Sequence, residues 1–230
     1  MDIHDPDNEF SSSQIILFYS PLDSELIRGQ IVIYWYIQNY IENDTLALYY
    51  GHPDLNEIQP IFEHKPDKKS GVIKTGIPPT RAYYSLDLSY VEQCTGYYGT
   101  WLRNDSVKKI SCLSTHPDWM SKHKHVLKYM TIGNLFIPGT HNSGSYSEEL
   151  PPTILQRYTV TQDRSILDQL ISGARYLDIR PCIYDNKYWV CHGTFPMQPF
   201  DKIIQDIKDF MGHTDEIVID SQAPKIMKHL

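Results

Sequence analysis

Near residue 115 the period of the apolar residues changes, and that change divides the chain into two kinds of fold. From Ser11 to about Arg103 the apolar residues come in short runs rich in Ile, Val, Tyr, Thr and Trp: Gln14–Tyr19, Gln30–Gln38, Thr45–Tyr50, Gly71–Thr75, Ala82–Leu86 and Gly96–Leu102. Turn residues such as Gly51-His52-Pro53-Asp54 and Gly76-Ile77-Pro78-Pro79 separate them. Short strands at this spacing, with no helical period between them, predict a small antiparallel β-sandwich over residues 11–105. In Ile31–Ile37 the odd positions are Ile, Ile, Trp and Ile and the even ones Val, Tyr and Tyr, so both faces of that strand are expected to be covered. The Tyr-rich strands read as core rather than as a ligand surface.

Residues 106–125 read as a linker. They carry Lys108-Lys109, Ser111, Ser114, Pro117 and three histidines, with no sustained pattern. His116, His123 and His125 are not at a metal-ligand spacing, and Trp119 between them reads as an anchor on the next domain. From Val126 strands alternate with helices. Ile132–Ile137 reads as a strand, and Ile166–Ile171 as an amphipathic helix with a start at Thr161-Gln162-Asp163 and a stop at Gly173. Arg175–Ile179 and Tyr188–Cys191 read as further strands. In Phe200–Met211, Ile203, Ile204, Ile207, Phe210 and Met211 recur at helical spacing up to Gly212, and Glu216–Asp220 reads as a fourth strand. This alternation predicts a parallel sheet or a barrel.

The net charge of -7 argues against a general nucleic-acid binder, because backbone phosphates require a basic face. It leaves room for a small patch that meets a lipid headgroup. No run of 18 apolar residues occurs, so no membrane span is expected. The acidic segment Met1–Asp7 does not read as a signal peptide. Four cysteines, Cys94, Cys112, Cys182 and Cys191, show no CxxC spacing, which argues against zinc. Cys182 and Cys191 flank the turn Tyr184-Asp185-Asn186-Lys187, so a local disulfide is geometrically possible. For a chain without a secretory signal, buried or half-buried free thiols are the expectation.

In a parallel α/β fold the residues at the carboxyl ends of strands line the active face. His141 and Asn142 follow the first strand across Pro138-Gly139. Asp178 and Arg180, at i and i+2, share one side of the second. His192 ends the third, and Gly193 lets the backbone turn away. Two histidines can serve as base and acid near neutral pH, and an arginine presents a planar fork matched to phosphate oxygens. Together these groups are what cleavage of a phosphodiester requires.

The residues that carry this chemistry also resemble a known family. Leu135-Phe136-Ile137-Pro138-Gly139-Thr140-His141-Asn142-Ser143, Gln169–Arg180 and Cys191-His192-Gly193 are similar to the X domain of phosphatidylinositol-specific phospholipase C, in the form found in animal X-domain-containing proteins and in bacterial enzymes. The resemblance covers about Val126 to Asp220. It implies a TIM-like (β/α) barrel and a two-step cleavage. His141 would be the base that takes the proton from the inositol 2-hydroxyl, and His192 the acid that protonates the departing diacylglycerol oxygen. Arg180 would stabilise charge on the phosphoryl oxygens, and Asp178 would position Arg180 or the hydroxyl. Asn142 and Arg180 would contact the headgroup.

Two departures from the family pattern qualify this. Asn142 stands where bacterial members carry an Asp that supports the acid, which implies a weaker acid. Arg180 stands where calcium-dependent members need a carboxylate, so neither metal nor other cofactor is expected. The family's barrel needs about twice the four strand–helix units found by Asp220, and the tail Ser221–Leu230 does not continue the pattern. The expectation is therefore an N-terminal β-sandwich followed by the first half of a barrel (residues 126–230), in a truncated chain whose activity is impaired. The implied partner is a phosphoinositide or other phospholipid headgroup at a peripheral membrane surface, in the cytoplasm, or outside the cell if an upstream signal is missing. The competing readings are an inactive binding protein and another barrel phosphodiesterase, such as a glycerophosphodiesterase or a sphingomyelinase D.

Overall fold

A computed structural model describes residues 12–20, 29–54, 58–79, 88–147 and 156–220. The described residues fall into two compact units. The first holds residues 12–20, 29–54, 58–79 and 94–114; the second holds 88–93, 115–147 and 156–220.

The first unit consists of two antiparallel sheets. One has the order β1 (Gln14–Ser20), β2 (Gln30–Tyr36), β5 (Ser70–Lys74). The other has the order β4 (Phe62–His64), β3 (Asp44–Tyr50), β6 (Cys94–Arg103), β7 (Ser106–Ser114). Strand β1 alternates as a half-buried strand should, with Ile15 and Leu17 inside and Ile16 and Phe18 outside. The inner pair packs against Gly99 of β6. Strand β2 is buried on both faces, as its pattern predicts, with Ile31, Val32, Ile33, Trp35 and Tyr36 all in the core. The buried Asp44 carboxylate is gripped by the Arg103 Nε and Nη2 at 2.7 and 2.8 Å. Burial alone would push this carboxyl up, but hydrogen bonds from Arg103 and the Ile41 N–H outweigh it and hold the group below its usual range. The expected run Ala82–Leu86 lies outside the described residues.

Where the sequence suggests a connector over residues 106–125, the structure has a nine-residue strand followed by two short helices. Strand β7 follows β6 through Asn104-Asp105, both at positive φ (51° and 59°). That is the backbone of a two-residue type I′ hairpin, so β7 pairs with β6 from Arg103↔Ser106 onward. The expectation of free thiols is also overturned. Cys94 pairs with Cys112 across β6 and β7, and Cys182 with Cys191, with Cα–Cα separations of 5.8 and 5.9 Å.

The second unit opens with α1 (Trp119–Lys122) and α2 (Lys124–Leu127). The strand expected over Ile132–Ile137 is instead a 3₁₀ turn at Ile132–Asn134, where Gly133-Asn134 interrupts the apolar run. Strand β8 is only Gly139–Thr140. After α3 (Gln156–Thr159) and α4 (Ile166–Ile171) comes β9 (Tyr176–Leu177). An antiparallel sheet follows, β10 (Pro181–Tyr184), β11 (Lys187–His192) and β12 (Phe195–Pro199), and then α5 (Phe200–His213) and β13 (Ile219–Asp220). Strands β8, β9 and β13 form a parallel sheet in the order β13-β9-β8, with α4 and α5 in the two crossovers. The helical period is realised: Ile203, Ile207 and Phe210 of α5 are fully buried against Ile166, Leu170 and Ile171 of α4 and against Leu177 and Val218.

The third expected parallel strand is corrected. Tyr188–Cys191 belongs to β11, which runs antiparallel to both neighbours. Asp185 and Asn186, at φ 48° and 54°, make a two-residue turn between β10 and β11, and so short a link can join only antiparallel strands.

One ion pair organises this unit. Arg175 is fully buried, and its Nη2 lies 2.8 Å from the equally buried Glu216. The guanidinium also donates to the carbonyls of Leu170, Ala174, His116 and Pro117. Glu216 in turn accepts the backbone N–H groups of Met120 and Ser121. Trp119, expected to anchor on this domain, donates from its indole to the Gly173 carbonyl at 2.9 Å. Arg175→Met strands a buried carboxylate and is expected to cost about 3–5 kcal/mol in denaturant unfolding, more than a typical core substitution.

Asp206 on α5 accepts the Leu167 N–H at 3.3 Å, and burial pushes its carboxyl up. A raised folded-state value stabilises below the unfolded value of about 4 and loses that contribution as pH rises through the folded value. Asp206→Asn keeps an acceptor and removes the buried charge. Its Tm relative to the native protein should therefore rise between pH 4 and pH 7 in parallel thermal melts.

Candidate active site

The site begins where β8 ends. Residues 141–144 form a turn in which Asn142 adopts φ 46°. This turn is locked to the segment after β9 by backbone-level bonds. The Ser143 N–H donates to the Asp178 carbonyl at 2.9 Å, and the Asp178 N–H donates to the Ser143 hydroxyl at 2.8 Å. The Asn142 N–H donates to the Asp178 carboxylate at 3.0 Å.

Asp178 is the centre of the arrangement. Its Oδ2 lies 3.2 Å from His141 Nδ1 and 2.8 Å from Arg180 Nη2, and its Oδ1 accepts from Arg180 Nε at 3.2 Å. The i, i+2 spacing therefore does bring Asp178 and Arg180 to one side, although both lie just beyond the two-residue strand. The carboxylate accepts only, so its approach favours the His141 proton on Nδ1, with the Nε2 lone pair facing the Asn142 amide. The His141 side chain is 67% exposed, whereas Asp178 is 16% exposed, so the imidazole is open and the carboxylate beside it is shielded. The bond to Asp178 pushes the Arg180 guanidinium further up, and this side chain stays charged at any working pH.

Asn142 is buried, and its Oδ1 has no hydrogen-bond partner. Its Nδ2 lies 3.4 Å from His141 Nε2. His192 is half-buried, and its Nδ1 lies 2.7 Å from the Thr159 carbonyl, which fixes that proton on Nδ1 and leaves Nε2 as the working nitrogen. The same carbonyl accepts the Ser145 hydroxyl at 2.8 Å, and the Thr161 hydroxyl donates to the Asn142 carbonyl at 3.0 Å. Gln162 supports the turn from the other side by donating to the His141 carbonyl at 2.7 Å.

Two features join the His141 turn to the strand that bears His192. The Cys191 N–H donates to the Arg180 carbonyl at 3.0 Å. Gly144 packs against Val190, and a Cβ on Gly144 would stand 2.7 Å from a Val190 methyl carbon. Gly193, at φ 60°, then reverses the chain into β12. The sequence drew attention to His141, Asn142, Asp178, Arg180 and His192. It did not mark Gly144, Thr159 or Ser145, and it named Thr161 and Gln162 only as a helix start; Ser145, Thr161 and Gln162 donate to backbone carbonyls, Thr159 supplies one, and Gly144 acts through an absent side chain. Among the described residues no group of three or more His, Cys, Asp or Glu side chains is placed to hold a metal ion. Among them too, no helix is long and apolar enough to cross a membrane.

A protein with this set is equipped for acid–base work on an anionic substrate. About half of the chain has curated relatives of one kind. It is 27% identical over 139 residues to PI-PLC X domain-containing protein 2 of Homo sapiens, covering 50% of this chain and 46% of that protein. It is 32% identical over 120 residues to 1-phosphatidylinositol phosphodiesterase of Staphylococcus aureus, covering 51% of this chain and 35% of that protein. Variant-surface-glycoprotein phospholipase C of Trypanosoma brucei brucei is 28% identical over 122 residues, covering 40% and 34%. The chain is thus a relative of the PI-PLC X-domain proteins, the family that its motifs resemble. It spans less than half the length of these curated relatives. No family model matches the chain, and no solved structure does.

Gly144→Val tests the seating of the turn. It is expected to destabilise the second unit by about 1–3 kcal/mol through overpacking against Val190 and to displace the His141 imidazole resonance.

Proposed function

We propose that the second unit carries a phosphodiester-cleaving site of the phosphatidylinositol-specific phospholipase C type, acting on a phosphoinositide at a membrane surface. The observation that carries this reading is the single shielded carboxylate of Asp178, which holds both the imidazole of His141 and the guanidinium of Arg180. One group thereby sets the distance between a base and an anion clamp. Nε2 of His141 takes the proton of the inositol 2-hydroxyl as its oxygen attacks the adjacent phosphorus. The unbonded N–H groups of Arg180 meet the phosphoryl oxygens as negative charge grows on them. His192, protonated, delivers its Nε2 proton to the departing diacylglycerol oxygen, which leaves a cyclic inositol phosphate. Asn142 is buried together with its Oδ1, so the headgroup contact expected of it falls to Arg180. No step needs a metal, because Arg180 supplies the positive charge.

The architecture is compatible with this assignment. Strands β8, β9 and β13 lie side by side in chain order with helices in the crossovers, which is how a (β/α) barrel begins. The relatives named for phosphatidylinositol or phospholipid cleavage support the substrate class.

The test is release of cyclic inositol phosphate from phosphatidylinositol vesicles by the whole chain. His141→Ala and His192→Ala should each lower the rate by about 10²–10⁴-fold, and the native pH–rate profile should be bell-shaped. Release that both substitutions leave unchanged overturns the reading. Vesicle binding without release identifies an inactive binding protein, and release of choline or glycerophosphodiester products with a metal requirement identifies another phosphodiesterase.

A further inference from the structure

Strand β10 is an edge strand with little to hold it. Among the described residues it pairs with β11 alone, and Pro181, Ile183 and Tyr184 are exposed, while Cys182 is half-buried. The adjoining end of β11 is equally bare, with Lys187 and Tyr188 exposed. Beyond Trp189, where the pairing of β11 with β12 ends, Ile183–Tyr188 continue as a two-stranded ribbon, which is marginal in water without packing on one face. Yet its two feet are the two points that matter for the chemistry. Arg180 immediately precedes β10, and His192 is the last residue of β11.

At those feet the ladder is also irregular. Between β11 and β12 the register shifts between Val190 and Cys191, just before His192. One backbone bond, from the Cys191 N–H to the Arg180 carbonyl, spans the feet at this point. The disulfide Cys182–Cys191 closes beside it, two residues from Arg180 and one from His192. It does not link residues that face each other in the ladder, since Cys182 stands opposite Trp189. The bond runs diagonally toward the feet rather than across the middle of the ribbon.

We propose that the Cys182–Cys191 disulfide is a positioning element of the active site, fixing the spacing between the anion clamp Arg180 and the acid His192. The proposal rests on the phosphodiesterase reading for its consequence in turnover, but not for its structural content. The bond substitutes for the packing that β10 lacks, and it acts through Arg180 and His192 without touching substrate. All four cysteines are paired, and disulfides persist in oxidising surroundings. The site is therefore complete only in such a compartment, and in a reducing one it loosens at the feet of the ribbon.

The experiment compares the native chain, the chain treated with TCEP, Cys182→Ser/Cys191→Ser, and Cys94→Ser/Cys112→Ser, which removes the other disulfide. Three quantities are read: hydrogen exchange at the Cys191 N–H, the Cε1–H resonance of His192, and kcat and KM for cyclic inositol phosphate release from phosphatidylinositol vesicles. The resonance of His213, stacked on Tyr90 in the same unit, reports that the unit stays folded. Loss of the Cys182–Cys191 bond should speed exchange at Cys191 and displace the His192 resonance while His213 stays put. It should lower kcat roughly 10- to 100-fold with KM little changed. Loss of Cys94–Cys112 should leave all three unchanged.

An unmoved His192 resonance with unchanged Cys191 exchange overturns the proposal. So does collapse of the His213 signal together with that of His192 on reduction, which would make the bond a general staple. Displacement of His192 in a chain that releases no product in any form leaves the coupling standing and removes the phosphodiesterase reading instead.

Discussion

The second unit is built around a charge that has no access to water. Burying the Arg175 guanidinium costs several kcal/mol unless its donors are all met, and Glu216 alone does not meet them. The remaining N–H groups are taken by four carbonyls, two of which, at Leu170 and Ala174, lie in and just after α4. The other two, at His116 and Pro117, belong to the segment that leads into α1. The backbone of Arg175 is engaged as well: its N–H donates to the Pro138 carbonyl ahead of β8, and its carbonyl accepts the Ile219 N–H of β13. All three parallel strands, the end of α4 and the entry segment thus converge on one residue. Asp178 stands three residues further on, so the position of the candidate site is inherited from a buried ion pair that takes no part in its chemistry.

From that fixed point a second carboxylate does the local work. Asp178 accepts a backbone N–H from the His141 turn and a bidentate guanidinium, its Oδ2 stands 3.2 Å from His141 Nδ1, and only 16% of its side chain meets solvent. A shielded carboxylate with several donors costs little to keep charged, because hydrogen bonds replace its hydration. The exposed partners gain orientation from it. A fully exposed His–Asp or Arg–Asp contact would be weak and mobile; here the carboxylate is held from its own backbone by Ser143. Preorganisation of this kind, and not the mere presence of His and Arg, separates a reactive arrangement from a polar surface.

Much of this was legible in the sequence, though unevenly. The helix α5 could be read because Ile203, Ile207 and Phe210 bury a continuous stripe, and periodicity records burial directly. The chemistry-bearing side chains could be read because His141, Asp178, Arg180 and His192 each sit beside a turn or strand end. Strand β7 could not be read as a strand from its composition. Its first four residues are exposed, so Lys108-Lys109 report solvent and not secondary structure. The signal that would have found it is the dipeptide Asn104-Asp105, two residues that tolerate positive φ between apolar runs. The turn at Asp185-Asn186 is legible in the sequence, but so short a link forces antiparallel pairing of Tyr188–Cys191, which the expectation of a parallel strand overlooks. The pairing of Arg175 with Glu216 and of Gly144 with Val190 spans 41 and 46 positions, and nothing local encodes either.

Placing His192 on an antiparallel ribbon has a physical consequence for how the two histidines differ. His141 leaves a turn clamped to the parallel sheet, with the charged Asp178 carboxylate 3.2 Å from its Nδ1. His192 leaves a strand whose neighbour β10 is exposed, and its Nδ1 meets a neutral carbonyl. A carbonyl fixes the orientation of the ring without carrying a full charge. The anionic partner therefore sits behind His141 and the neutral partner behind His192. That asymmetry arises from the different elements to which the two rings are attached: a turn locked to the parallel sheet and the last residue of an antiparallel strand.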